Sequence, residues 1–96
     1  MTERIPDDGA ITPEDRRWAE ERVSRLEAMR QALDGDLQDP AAPPGEWAAF
    51  WTSMRHLYIR ASFHLATGVR TGDVRSFNVG RALWSEIRES LDLSLI

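Results

Sequence analysis

The chain has 96 residues, with twelve Arg and no Lys against sixteen acids, a net charge of −4 and no Cys. This length gives one small domain with a modest core, and the missing Cys excludes a disulfide framework, a thiol nucleophile and a Cys-based zinc site. No apolar run approaches the ~18 to 20 residues of a membrane span, and MTERIPDDGA lacks the basic-then-apolar pattern of a signal peptide, so the expected setting is the cytoplasm.

Charge is divided unevenly. Residues 1–46 hold twelve acids against six Arg, whereas residues 47–96 hold four acids against six Arg. The positive second half either docks on the first or meets an anionic partner. An all-Arg, Ala-rich composition suggests a GC-rich bacterial source.

Residues 1–11 mix charge, Pro and Gly with only Ile5 to bury, which predicts a disordered N-terminal arm before a single helical domain over 12–96. Thr12-Pro13-Glu14-Asp15 then combines an N-cap hydroxyl, Pro at the first helical position and acids at the positive end of the helix dipole. A first helix over about 13–33 follows, with Trp18, Ala19, Val23, Leu26, Met29 and Leu33 on one face and Asp34-Gly35 as its stop. Arg22 projects into that face. It either lays its stem on the core or anchors a partner's carboxylate. Residues 34–45, with three Asp and three Pro, form a Pro-rich connector. Those Asp residues lack the ligand number, central Gly and distal Glu of a calcium loop, so no metal is expected.

The second helix, about 46–67, is the centre of the chain. Trp47, Phe50, Trp51, Met54, Leu57, Tyr58, Ala61, His64 and Leu65 make one broad stripe, while Ile59 and Phe63 make a smaller patch on the other side. A helix apolar on two flanks needs two neighbours, and three helices fall short of covering both. The expectation is therefore a homodimer or another protein bound at Ile59, Phe63 and Trp51. Trp18, Trp47, Trp51 and Trp84 are heavy aromatic provision for so small a domain, and Trp is enriched at binding hot spots.

A third helix is expected over about 73–91, with Gly68 as the C′ residue before it and Thr71 or Asp73 as its cap. Phe77, Gly80, Leu83, Trp84, Ile87 and Leu91 are its inward stripe. Gly80 either allows a close helix approach or breaks the helix. From Leu91 to Ile96 the apolar period changes from about 3.6 to 2. This end either folds onto the core as a helix or pairs with a partner through Leu93 and Leu95, as in strand addition. Leu91-Asp92-Leu93-Ser94-Leu95 resembles the LxLxL repression motif of plant transcription regulators, which implies corepressor recruitment.

The segment from Phe63 to Phe77 carries Gly68-Val69, then Val74 and Phe77, in a spacing that resembles the helix-turn-helix of LacI-type repressors. The resemblance implies a turn at Gly68, locking contacts by Val69, Val74 and Phe77, and DNA contacts by Arg70, Thr71, Arg75, Ser76 and Arg81. Two positions depart from that pattern: His64 stands where a small residue is usual, and Thr67 replaces an apolar one.

Nothing in the sequence assembles catalysis. His56 and His64 are eight positions, ~12 Å, apart on one helix, too far to hold one ion. Ser53 and His64 are ~16 Å apart, beyond nucleophile–base contact. The reading is thus an all-α three-helix bundle completed by homodimerisation, not an enzyme and without a cofactor. Its expected function is that of a small bacterial accessory or regulatory protein that binds another protein, an antitoxin-like inhibitor or subunit-type partner. The alternative is a helix-turn-helix transcription regulator using residues 63–81.

Overall fold

A computed structural model describes residues 4–39, 41 and 45–94, with side chains described as far as Leu91. These residues form three helices: α1 (Pro13–Gln38), α2 (Glu46–Thr71) and α3 (Val74–Ser94). The expected all-α, three-helix arrangement is the one observed. None of the three helices is long and apolar enough to cross a membrane. Both outer helices pack on α2, and no Cα of α1 lies within 8 Å of a Cα of α3.

The core follows the sequence stripes. Ala19, Leu26 and Leu33 of α1 meet Met54, Tyr58, Ala61, Leu65 and Val69 of α2, and Phe77, Leu83 and Ile87 of α3 close the other side. Leu26, Leu65 and Phe77 are fully buried, each removing enough apolar area from water to be worth about 1.5 to 3 kcal/mol.

α1 begins as expected. Thr12 Oγ1 accepts from the Asp15 N–H at 3.0 Å, and Asp15 Oδ2 accepts in return from the Thr12 N–H at 3.1 Å. This reciprocal capping box satisfies two donors that the first turn leaves orphaned. The helix does not stop at Asp34-Gly35. Gly35 keeps an ordinary negative φ, Leu37 packs on the core, and Asp34 is tied to Arg30 at 2.9 Å and to Arg55 of α2. α1 ends at Asp39, whose extended backbone (φ −69°, ψ 121°) suits a residue that precedes a proline. The connector is correspondingly shorter than expected.

α2 also overruns its expected end. Gly68 is inside the helix and buried, and Gly72, at φ 74°, is the left-handed C-cap. Gly68 serves close packing: a Cβ there would lie 2.8 Å from the backbone N of Phe77. Arg16 of α1 donates to the Val69 carbonyl at 3.0 Å, so α1 helps to close the end of α2.

Asp73 caps α3, accepting from the Arg75 N–H at 3.0 Å. Gly80 lies within α3 without breaking it. A Cβ on it would stand 2.7 Å from Leu65 Cγ, so the close-approach reading is the one observed. The alternating end of the chain is helical through Ser94, which corrects the strand-like alternative for residues 91–94. The Leu93 side chain and Leu95 lie outside the described residues.

Residues 4–11 depart from the expected arm. Ile5 is buried, its N–H donates to Asn78 Oδ1 at 2.9 Å, and its carbonyl accepts from Asn78 Nδ2 at 2.7 Å. One α3 side chain thus satisfies both backbone groups of a residue on the N-terminal segment.

Candidate functional site

The residues expected to meet a partner fall on two faces of α2. Ile59 is 39% exposed and Phe63 62% exposed, on the side away from Met54, Ala61 and Leu65. Helical spacing places His56, Ile59, Phe63, Ala66 and Arg70 along one strip. No acid occurs between Trp47 and Thr71, so this strip combines apolar and basic groups. Phe63 packs edge-on against His64, with ring centroids 5.3 Å apart. His64 is half-buried, and its Nδ1 has no hydrogen-bond partner among the described residues.

Trp51 belongs elsewhere. It is half-buried near the start of α2, 5.0 Å from Phe50 and 6.5 Å from Trp47 between ring centroids. The three rings make an aromatic knot next to the connector, and Phe50 is 36% exposed.

The residues expected to face DNA do not share one surface. Arg70, Thr71 and Arg75 are exposed, whereas Ser76 Oγ donates to Asp73 Oδ2 at 3.2 Å within the α3 cap. Arg81 is 7% exposed and lies over the rings of Trp18 and Phe77, 5.3 and 5.2 Å from their centroids. Asp15 is 3.8 Å from its guanidinium. Burial pulls the Arg81 pKa below the usual arginine value, and Asp15 opposes that shift. The turn between α2 and α3 is Gly72-Asp73, not the expected Gly68, because α2 runs on to Thr71.

A concavity lies between α1 and α3, where the two backbones stay apart and only side chains bridge. It encloses about 870 Å³. Trp18 and Trp84 contribute aromatic walls, and Arg4, Arg22, Arg75, Arg81 and Arg88 all border it, with Asp7 the one acid in the lining. The Arg22 guanidinium lies between the two Trp residues, 4.9 Å from the Trp18 ring centroid and 5.8 Å from that of Trp84. Its Nη1 donates to Glu21 at 2.8 Å, while its buried Nε has no acceptor among the described residues.

Sequence reasoning singled out Arg22 because it interrupts an apolar stripe. It missed Arg4, Asn78, Trp84 and Arg88 as members of the same groove. Arg75, Asn78, Ala82, Ser85 and Arg88 do recur at helical spacing along α3, but that signal gains meaning only once α1 and α3 are known to diverge. Among the described residues no three His, Asp or Glu side chains converge as a metal site would require. No family model, curated protein or solved structure matches the chain.

Proposed function

We propose that this is a small accessory or regulatory protein that acts by binding another protein through the outer flank of α2. The observation that carries this reading is the exposure of Ile59 and Phe63 on the one helix that already gives its opposite flank to the core. Their setting among His56, Arg60 and Arg70, with no acid on the helix after Glu46, favours a partner surface that is apolar and acidic. It disfavours self-association through the same strip, since two copies of a face with basic groups and no acid gain no opposite-charge pair. Inhibition of a partner and service as a subunit are both compatible with such a face.

The test is a double substitution, Ile59→Ser with Phe63→Ser, in the full chain. Partner capture from the native host should be lost while the helical signal and melting temperature are retained. Capture that survives the double substitution removes the reading, and so does a host complex formed only through other residues. Size measurement across a concentration range reads self-association directly, and a dimer dissolved by the same pair of substitutions would replace the hetero-partner with a second copy.

A further inference from the structure

The groove between α1 and α3 shares no residue with the outer strip of α2, and its chemistry asks for a different ligand contact. Its cations are graded along α3. Arg81 and Arg88, seven residues apart, lie on one side of α3, and Arg75, about 20 Å along the axis from Arg88 and on another flank of the helix, borders the same groove. Arg22 reaches across from α1 and lies on the same Trp18 ring as Arg81. Two guanidiniums held on one indole form a rigid cationic centre, because stacking restrains the planar forks that oxyanions bind.

Carboxylates from the chain itself answer only part of this charge. Asp7 pairs with Arg4, Glu21 with Arg22 and Asp15 with Arg81. Arg75 and Arg88, the first and last of the α3 cations, form no ion pair among the described residues, and both are exposed. Between the cations lie Val79, 43% exposed, with Ala82 and the half-buried Trp84. The stretch between the cations thus mixes apolar groups with the neutral polar side chains of Asn78 and Ser85.

We infer that this groove binds an acidic amphipathic helix of another protein. The length and charge of the groove select this occupant. About 14 residues of helix span the roughly 20 Å of axis between the exposed Arg75 and Arg88, so acids toward the two ends of such a helix would meet them. Apolar side chains between those acids would rest on Val79, Ala82 and Trp84, the arrangement of a helix seated in a groove. A compact anion reaches one of the two exposed guanidiniums, Arg75 or Arg88, and leaves the other unanswered. A second copy offers no match, because the exposed face of α1 mixes Arg17 and Arg25 with Glu20, Glu21 and Glu27 and carries no large apolar residue.

The experiment is selection of a displayed library of helical peptides of about 18 residues against the full chain at low salt, with affinities read through tryptophan fluorescence. Enriched peptides should carry acids toward both ends with apolar residues between them and should bind at least about tenfold more weakly in high salt. Arg75→Glu with Arg88→Glu should cost a similar factor or more without lowering the melting temperature, and Trp84→Ala should weaken binding independently. Enrichment of peptides without acids overturns the inference, as does affinity unchanged by the Arg75 and Arg88 substitutions. Saturation by ATP with no acidic peptide enriched also overturns it, in favour of a small phosphate ligand. If binding is abolished by Ile59→Ser with Phe63→Ser and not by the Arg substitutions, the groove is excluded while the α2 strip stands.

Discussion

Gly80 of α3 and Leu65 of α2 meet where there is no room for a methyl group. A Cβ on Gly80 would fall 2.7 Å from Leu65 Cγ and 2.8 Å from the Leu65 backbone N. Alanine at a helical position ordinarily gains about 1 kcal/mol over glycine, but overpacking a close contact costs typically ~1 to 3 kcal/mol. Because a backbone atom is among the obstacles, α2 itself must shift. Gly80→Ala is therefore expected to destabilise by up to roughly 2 kcal/mol in urea denaturation. Gly35→Ala supplies the opposite sign: a Cβ there meets nothing within 4 Å, and the exposed helical site should gain about 0.5 to 1 kcal/mol. Stabilisation by both substitutions would show that α2 and α3 do not cross closely at Leu65.

A second expectation concerns the N-terminal segment. Asn78 makes both hydrogen bonds to Ile5, at 2.9 and 2.7 Å, so Asn78→Ala deprives the two backbone groups of their partner at once. At about 0.5 to 1.5 kcal/mol for each bond, the loss should come to roughly 1 to 3 kcal/mol. Hydrogen exchange gives the sharper reading, since the Ile5 amide should lose its protection while amides in the middle of α2 keep theirs. Equal protection at Ile5 in both proteins would show that burial of its side chain alone holds the segment.

The glycines and Ile5 also show where the sequence was legible. Stripes such as Ala19, Leu26 and Leu33, or Met54, Ala61 and Leu65, repeat over many turns and are read from spacing alone. The cap at Thr12 is equally local, since all its parts lie within four residues. Gly35, Gly68 and Gly80 are different. A glycine that ends a helix and one that admits a neighbouring helix are the same letter, and only the position of Phe77 or Leu65 separates them. Ile5 looked solitary because Asn78 is 73 positions away. The Arg–Trp groove needed knowledge of the α1–α3 separation, which no single segment encodes, and Arg81 looked like a surface group because its partners Trp18 and Asp15 belong to another helix.

Asp34 gives the chain a predictable acid response. Its hydrogen bond from Arg55 is the main cause that holds its pKa below 3.8, with further help from Arg30 and opposition from partial burial. A folded-state value below the unfolded one means that Asp34 contributes stability above the unfolded carboxylate pKa and loses it as pH falls through the folded one. Wild-type protein should therefore be more stable than Asp34→Asn above about pH 5, and the gap should close as pH falls below about 4. Thermal melts of both proteins from neutral to acid pH measure it. A gap that stays constant down to the lowest pH would mean that the α1–α2 tie does not depend on the carboxylate charge.

The two flanks of α2 should separate cleanly in stability measurements. Leu65 is fully buried and Phe63 is 62% exposed, two positions away on the same helix. Leu65→Ala removes packed core atoms and should cost about 2 to 5 kcal/mol. Phe63→Ala loses an edge contact with the His64 ring and little else, so its effect should stay within about 0.5 kcal/mol. The comparison bears on function because a side chain conserving no stability while exposing this much apolar area is free to serve a partner. Should Phe63→Ala cost more than about 1.5 kcal/mol, the ring is shielded in solution, and a melting temperature that rises with wild-type concentration would identify the shield as a second copy. A large cost with no concentration dependence would place Phe63 under cover from its own chain, and the outer strip of α2 would no longer be available to another protein.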